Sequence, residues 1–151
     1  MCDAQVSNDI PVANSPAGLY ASYRIVGQRL YISGQTARVN EVVKYKGKIG
    51  EDLNLEQGYV AAKICAENVL AQVNKAVQSD FSRVKSVLKL GVYLQTQEGF
   101  TRHADIANGA SEVLINILGS QGEHCRTTIG VSSLPSHSAV EVDAIFELEN
   151  I

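Results

Sequence analysis

The sequence has few of the features expected of a membrane protein, a nucleic-acid-binding protein or a secreted one. In its 151 residues, no apolar run approaches the roughly 20 residues that a membrane-spanning helix needs. The first residues, Met-Cys-Asp-Ala, begin neither a basic nor an apolar segment of the kind found in targeting signals. The net charge is -3 and the basic residues are scattered, so nothing forms a basic stripe for nucleic acid or an anionic membrane. We therefore expect a cytoplasmic protein that binds neither.

Cysteine is also scarce. The three cysteines, Cys2, Cys65 and Cys125, are odd in number and far apart, which favours reduced thiols over a disulfide framework or a zinc site. Cys65 is expected in the core, and no metal site is predicted. His124 precedes Cys125, but adjacent residues of a strand point to opposite faces, so we do not expect a nucleophile and its base here.

What remains is a chain of ordinary domain size. A hydrophobic content of 45% is sufficient for one substantial core. Residues 1–151 are therefore predicted to form a single domain. Residues 1–17 are polar, contain Pro11 and Pro16 and show no sustained period, so they are expected to form a loosely ordered arm.

The first part of the chain predicts a hairpin. Residues 19–25 and 29–33 are rich in tyrosine, isoleucine, valine and leucine, and Val26-Gly27-Gln28 makes the tight connection between them. Gly34 follows the second strand and indicates either a bulge or close approach, or a simple strand end. Residues 41–46 are expected to add a short edge strand, because valines there alternate with lysines.

The middle of the chain predicts two helices around one strand. Asn54 and Gln57 match a capping box, and an apolar stripe continues from there to about Val77. Residues 84–94 suit a buried central strand, parallel to the first pair because a long helix intervenes. Residues 104–118 predict a second helix that ends at Gly119, with close packing at an internal glycine, Gly109.

The end of the chain predicts a second hairpin, from Cys125 to Leu148 across Leu134-Pro135. Alternation places Arg126 and Thr128 on one face of the first strand, and Glu141 on the polar side of the second. If these strands pair, Arg126 and Glu141 can face one cavity. Arg126 is then either a carboxylate clamp or a surface ion pair, and Glu141 either holds a water or is the partner of Arg126.

These elements together predict an α+β domain with the order ββαβαββ. Right-handed crossovers would place both helices on one face of a single mixed sheet. The other face then has no cover. The strands of the sheet bear Tyr20, Tyr23, Tyr31, Ile129 and Phe146, and a sheet of this kind is not expected to leave a whole face in water, so that face is expected to pack against other copies of the chain. We therefore expect a homo-oligomer.

Several segments also carry a family resemblance. They are Leu19-Tyr20, Leu30-Tyr-Ile-Ser-Gly-Gln35, Asn108, and Arg126 through Leu134-Pro135 to Val140-Glu-Val-Asp-Ala144. In these segments the chain resembles the YjgF/Rid family, the reactive intermediate (imine) deaminases, often labelled endoribonuclease L-PSP. The longer segment from Glu41 to Gln57 is similar to a longer branch of that family.

The resemblance implies a chorismate-mutase-like fold, a homotrimer and pockets at the clefts between subunits. It implies that Arg126 binds a substrate carboxylate, that Glu141 positions the attacking water, and that Tyr20 lines the pocket. Gly34 would contribute backbone groups and Asn108 would lie at the rim. The family's frequent cysteine two residues after the arginine is Thr128 here, which keeps the backbone carbonyl available for holding water.

The implied reaction is hydrolysis of an enamine or imine, such as 2-aminoacrylate, to a 2-oxo acid and ammonia, with no metal or cofactor. Two other functions remain open from the sequence. The first is a non-catalytic trimer that binds or senses a small carboxylate-bearing metabolite. The second is the ribonuclease activity in the family label, which the acidic balance and absence of a basic stripe disfavour.

Overall fold

The fold is built on a five-stranded mixed sheet with two helices on one face, which confirms the predicted fold class. The computed structural model describes residues 10–150. In chain order the elements are β1 (Tyr23–Val26), β2 (Arg29–Thr36), β3 (Arg38–Val39), β4 (Val42–Val43), α1 (Leu55–Ala76), β5 (Val84–Gln95), α2 (His103–Leu118), β6 (Cys125–Val131) and β7 (Val140–Leu148). Three short 3-10 helices, Phe81–Arg83, Gly119–Gly122 and Pro135–His137, lie in the connections.

The strand order is β1-β2-β7-β5-β6, and it corrects the predicted closing hairpin. β6 and β7 do not form a hairpin, because β5 lies between them. β5 is not adjacent to the first hairpin and pairs antiparallel with β7 and parallel with β6. It therefore runs parallel to β2, as expected, and antiparallel to β1. The physical reason lies in the connections. The β5–β6 link contains α2, which requires a parallel crossover, and residues 132–139 are long enough for β7 to reach the far side of β5.

The first hairpin begins later than predicted. β1 starts at Tyr23, and Gly27 (φ 59°) and Gln28 make its two-residue turn. Tyr20 was expected within the first strand but precedes it. Leu19 beside it is fully exposed, so an apolar composition there does not correspond to a strand.

β2 contains a bulge at Ser33-Gly34. Its register against β7 shifts between Ile32 and Gln35, and the strand then continues to Thr36. Of the two interpretations of Gly34, the bulge is therefore confirmed and the strand end is wrong.

The predicted edge strand at residues 41–46 is replaced by a small separate hairpin. β3 and β4 pair only with each other. Asn40 (φ 50°) and Glu41 (φ 67°) form the turn between them with left-handed backbones, which match the twist of a two-residue hairpin. The valines and lysines of residues 41–46 therefore lie outside the main sheet.

Both helices begin and end close to their predicted positions. The capping box is confirmed: Asn54 Oδ1 accepts from the Gln57 N–H at 2.8 Å, and the Asn54 N–H donates to Gln57 Oε1 at 2.9 Å. α1 ends at Ala76, and α2 ends before Gly119, whose φ is 60°. The two helices pack closely at Gly109, because a Cβ there would collide with the carbonyl oxygen of Tyr59.

The core lies between the helices and one face of the sheet. Its largest fully buried apolar side chains are Phe146, Leu30, Ile49, Leu70, Leu90, Leu94, Ile106 and Leu114, and the predicted core residue Cys65 is buried among them. On the opposite face Tyr31 and Ile129 remain 41% and 46% exposed. Within residues 10–150, no helix is both long and apolar enough to cross a bilayer.

Gly109→Ala should destabilise the fold by about 1 to 2 kcal/mol. Overpacking a close contact costs roughly 1 to 3 kcal/mol, while alanine recovers up to about 1 kcal/mol of helix propensity. Urea unfolding measures the difference. Asn116→Ala, on an exposed position of the same helix, is the control and should not destabilise. Equal stability of Gly109→Ala and the wild type would contradict the close packing.

Candidate functional site

Arg126 projects from β6 towards α2 and is held there by two side chains. Its Nη1 donates to Asn108 Oδ1 at 2.9 Å and to Ser111 Oγ at 2.9 Å. Asn108 and Ser111 are three residues apart on α2, which puts them on the same side of the helix. The predicted pair of Arg126 and Asn108 is therefore brought together.

A chain of hydrogen bonds continues from Ser111 into the loop before β6. Ser111 Oγ lies 2.9 Å from His124 Nε2, and His124 Nδ1 lies 2.6 Å from the carbonyl of Gly122. Because a carbonyl only accepts, Nδ1 carries a proton. In the neutral ring Nε2 then accepts from the Ser111 hydroxyl, whose oxygen accepts from Arg126. His124 is thus engaged with Ser111 and not with Cys125, which is a free, exposed thiol.

The other edge of the Arg126 guanidinium, formed by Nε and Nη2, has no hydrogen-bond partner within residues 10–150. Nη1 has two N–H groups, and Asn108 and Ser111 accept one each. Nε and Nη2 make no hydrogen bond to the described residues, and none of the three ion pairs found there includes Arg126. The edge formed by Nε and Nη2 has the geometry that binds a carboxylate through two parallel bonds.

Glu141 lies on the opposite face of the sheet, against the bulge of β2. A Cβ at Gly34 would lie 2.9 Å from Glu141 Cδ and would collide with Glu141 Oε1. The missing side chain of Gly34 therefore provides the space that the Glu141 carboxyl occupies. The close approach brings together two predicted residues, Gly34 and Glu141.

The Glu141 carboxyl has a raised pKa. Burial is the main cause, and the nearby carboxylate of Asp143 adds to it. Asp143 accepts a hydrogen bond from the Tyr93 hydroxyl at 3.0 Å, and burial followed by Asp143 raises the pKa of Tyr93 as well. A carboxyl whose pKa moves up towards neutrality is a better proton acceptor than an ordinary one.

A small cavity of about 80 Å³ adjoins Glu141. Its lining includes Tyr20, Gly34, Arg38, Pro135, Ser136 and Glu141, so Tyr20 joins the site although it lies outside the sheet. The turn that carries Pro135 is fixed by buried Gln95: its Oε1 accepts from the Leu134 N–H at 3.0 Å, and its Nε2 lies 3.0 Å from His137 Nδ1.

The structure therefore divides the predicted residues into two groups. Arg126 pairs with Leu90, whose other neighbour, Ala144, is in the core, so Arg126 faces the helices. Glu141 pairs with Tyr93 on the uncovered face, three residues and two strands from Arg126. Strand geometry puts these positions about 10 Å apart along the strands and about 10 Å apart across them. The expectation that Arg126 and Glu141 share a cavity within one chain is wrong.

Thr128 shares the helix-facing side of β6 with Arg126. It lies opposite Val92, and its Oγ1 is buried with no hydrogen-bond partner among the described residues. A buried hydroxyl without a partner is costly. Thr128 therefore lies close to Arg126 along β6. Its Oγ1 makes no hydrogen bond to the Arg126 group or to the Glu141 group.

Sequence reasoning missed Ser111, His124 and Arg38 as neighbours of the site. Ser111 could have been found, because it lies at i+3 from Asn108 and so on the same side of the helix. Arg38 gave no signal, since its position depends on the β3–β4 turn. Within residues 10–150, no three side chains of histidine, cysteine, aspartate or glutamate come together as a metal site would require.

Comparison with known proteins identifies the family. The family profile described as "YjgF/chorismate_mutase-like, putative endoribonuclease" matches residues 4–148. The chain belongs to the YjgF family. This confirms the resemblance seen in the sequence.

Three relatives show how the chain compares with other YjgF-like proteins. "Protein TCP17" of Trypanosoma cruzi is 39% identical over 142 residues, covering 93% of this chain and 88% of its own. A solved structure of a protein of unknown function from Agrobacterium tumefaciens has a TM-score of 0.90 and 32% identity, with 98% and 92% of the two chains covered. A 2-iminobutanoate/2-iminopropanoate deaminase of Dermatophagoides farinae is 24% identical over 142 residues, with 92% and 93% covered.

The Glu141 pKa predicts a pH-dependent change in stability. A raised pKa in the folded state means that the neutral form is favoured there. The contribution of the neutral Glu141 carboxyl to folding stability is fully present below the unfolded-state pKa. It is lost as pH rises through the folded-state pKa. Glu141→Gln should therefore match the wild type at acid pH and become more stable than it as pH rises above 4.5.

Thermal unfolding across this pH range measures the effect. Glu112→Gln, at an exposed position of α2, controls for loss of a negative charge and should show no such trend. If the stability of Glu141→Gln relative to the wild type fell as pH rises, the desolvated environment of Glu141 would be contradicted.

Proposed function

We propose that this YjgF-family chain hydrolyses the enamine or imine forms of 2-amino acids, such as 2-aminoacrylate, to 2-oxo acids and ammonia. We place the reaction at a site shared between subunits of a homotrimer. The observation that carries the proposal is the state of Arg126, whose Nη1 is engaged by Asn108 and Ser111 while its other edge is uncommitted.

In the proposed complex the substrate carboxylate binds Nε and Nη2 of Arg126. A guanidinium that is already oriented loses little conformational freedom on binding. Asn108 lies at the rim of this pocket and orients Arg126. Every 2-imino acid carries this carboxylate, so the contact selects the class of substrate and leaves its side chain to the rest of the pocket.

Glu141 is proposed to accept a proton from the attacking water. The water oxygen bonds to C2 of the protonated imine, and the Glu141 carboxylate takes one of its protons. Glu141 then returns that proton to the nitrogen of the carbinolamine. Ammonia leaves as the C2–oxygen double bond forms, and the hydroxyl proton passes to the Glu141 carboxylate. The backbone near Gly34, the Thr128 carbonyl and the Tyr20 ring would complete the pocket around this water.

The separation of the Arg126 group from the Glu141 group supports a site shared between subunits. Arg126 and Glu141 face opposite sides of one sheet, so a small substrate cannot reach both within a single chain. The exposed Tyr31 and Ile129 on the uncovered face are suited to contact with another copy. A cyclic assembly would bring the Arg126 edge of one copy to the Glu141 face of the next.

The comparisons support the chemistry only at family level. The relative named for deamination of 2-iminobutanoate and 2-iminopropanoate is 24% identical, and those compounds are themselves small 2-imino monocarboxylates. The endoribonuclease description of the family receives less support from this chain. Its net charge is -3, and phosphate-rich substrates favour basic surfaces.

Carboxylate binding without turnover is the second candidate. One observation favours it: the Arg126 group is complete within one subunit, whereas Glu141 can contribute only through assembly. A trimer that binds a small carboxylate as a metabolite sensor would use the first group and leave the second unused.

Replacing Arg126 with alanine should lower kcat/KM for 2-aminoacrylate by about 100-fold, since two charge-assisted hydrogen bonds are lost. Arg126→Lys should recover only part of this, because an ammonium cannot form the two parallel bonds. The substrate is generated from serine by a pyridoxal phosphate-dependent dehydratase, and release of the 2-oxo acid is measured. Arg102→Ala, at an exposed arginine, is the control.

Full activity in Arg126→Ala would contradict the clamp. Absence of any acceleration by the wild type, together with 2-oxo acid binding that Arg126→Ala abolishes, would favour the sensor. RNA cleavage by the wild type that disappears in Arg126→Ala would favour the ribonuclease.

A shared site also predicts that two inactive variants restore activity when mixed. Arg126→Ala and Glu141→Gln each lack one half of every site. When their subunits are exchanged at equal amounts, random assembly should give about a quarter of the sites both intact residues. Activity is measured after co-refolding, with each variant refolded alone as control. A mixture no more active than its components would contradict the shared site.

A further inference from the structure

A second arginine reaches the cavity beside Glu141. Arg38 opens β3 and lines the same cavity as Glu141 and Tyr20. Its side chain is only 19% exposed, so most of the side chain has been removed from water. A buried charge of this kind is unfavourable unless it is well paired.

The internal partners of Arg38 satisfy that charge poorly. Nη1 lies 3.6 Å from Glu41 Oε2 and donates to the Ser15 carbonyl at 3.3 Å. Charge-assisted bonds of this type are normally about 2.7 to 2.9 Å long. The Glu41 side chain is 72% exposed, and ion pairs to exposed partners are weak. Nε and Nη2 form no hydrogen bond within residues 10–150, as at Arg126.

The guanidinium of Arg38 is also not needed to hold its own backbone. Asn68 Nδ2 donates to the carbonyl of Arg38 at 2.9 Å and to that of Thr36 at 2.9 Å. These bonds fix the start of β3 against α1. The side chain therefore starts from an anchored backbone and lines both this cavity and the neighbouring one that Glu41 lines. Its carboxylate-binding edge, Nε and Nη2, has no hydrogen-bond partner within residues 10–150.

We propose that Arg38 binds a second anionic group of the ligand, so that the preferred substrates are 2-imino dicarboxylic acids, the imines of acidic amino acids. This inference rests on the proposed function, in which Arg126 of a neighbouring copy takes the carboxylate common to all 2-imino acids. Arg38 then takes the side-chain carboxylate. Glu41 competes for Arg38 in the empty protein and is displaced into water when the ligand binds.

The test measures binding of two reaction products by calorimetry, using the full assembled chain. 2-Oxoglutarate carries the second carboxylate and 2-oxobutanoate lacks it. We expect 2-oxoglutarate to bind the wild type about tenfold more tightly or better, the effect of one charge-assisted contact. Arg38→Gln should remove this preference and leave 2-oxobutanoate unchanged. Arg102→Gln is the matched control, because Arg102 also pairs with an acidic residue at i+3, Asp105.

A second variant separates binding from a structural role. Glu41→Gln removes the competing carboxylate, so it should tighten 2-oxoglutarate several-fold without affecting 2-oxobutanoate. If Arg38 served only to hold Glu41, this variant would leave both affinities unchanged. Thermal unfolding of every variant verifies that it folds. If Arg38→Gln does not fold, Arg38→Lys and Glu41→Gln are used in its place.

Equal affinity of the wild type for both products, or no binding of either, would overturn the inference. So would an equal loss of both affinities in Arg38→Gln, because Arg38 would then bind the shared carboxylate. The proposed function fails separately. If the wild type discriminates between the products through Arg38 but hydrolyses no imine, the site is a dicarboxylate sensor. If it hydrolyses imines without discrimination, only the role of Arg38 is lost.

Discussion

The insertion of β7 between β2 and β5 is the constraint on which the rest of the structure depends. Its strict alternation places Val140 and Val142 in the core and directs Glu141 and Asp143 to the uncovered face. Because β7 pairs on both sides, β6 is left at the edge, where Arg126 can reach α2. The two groups of site residues are thus separated by the strand order itself, and no side-chain rearrangement within one subunit could join them.

Orientation through one nitrogen is the shared feature of both arginines. Arg126 is held firmly, with two bonds of 2.9 Å from Nη1, while Arg38 is held loosely, with contacts of 3.3 and 3.6 Å. The first is suited to a group present in every substrate, because it is oriented before binding. The second can exchange its internal partner for a ligand at small cost, which is suited to selecting among substrates.

Local signals in the sequence predicted local structure well, whereas strand order was beyond them. The capping box at Asn54, the helix end at Gly119 and the alternation of β7 each depend on neighbours within a few residues. The pairing of β7 with β2 and β5 depends on contacts between distant segments, so the expected hairpin of β6 with β7 was wrong. The division of the site residues into an Arg126 group and a Glu141 group follows from that strand order, and the sequence did not predict it. Arg38 and Ser111 join them only because the turn at Asn40 and the face of α2 bring them there.

The desolvated carboxyl of Glu141 makes physical sense once the proposed substrate is considered. Burial and Asp143 disfavour its charged form in the free protein, which is a cost to folding. A protonated imine would bring a positive charge to this carboxyl, and in a site of low polarity that attraction is stronger than in water. The 2-oxo acid product has no such charge. The attraction would therefore favour the pair that the attack on the imine requires, an ionised Glu141 and a protonated imine, and it would weaken as the product forms, which favours release.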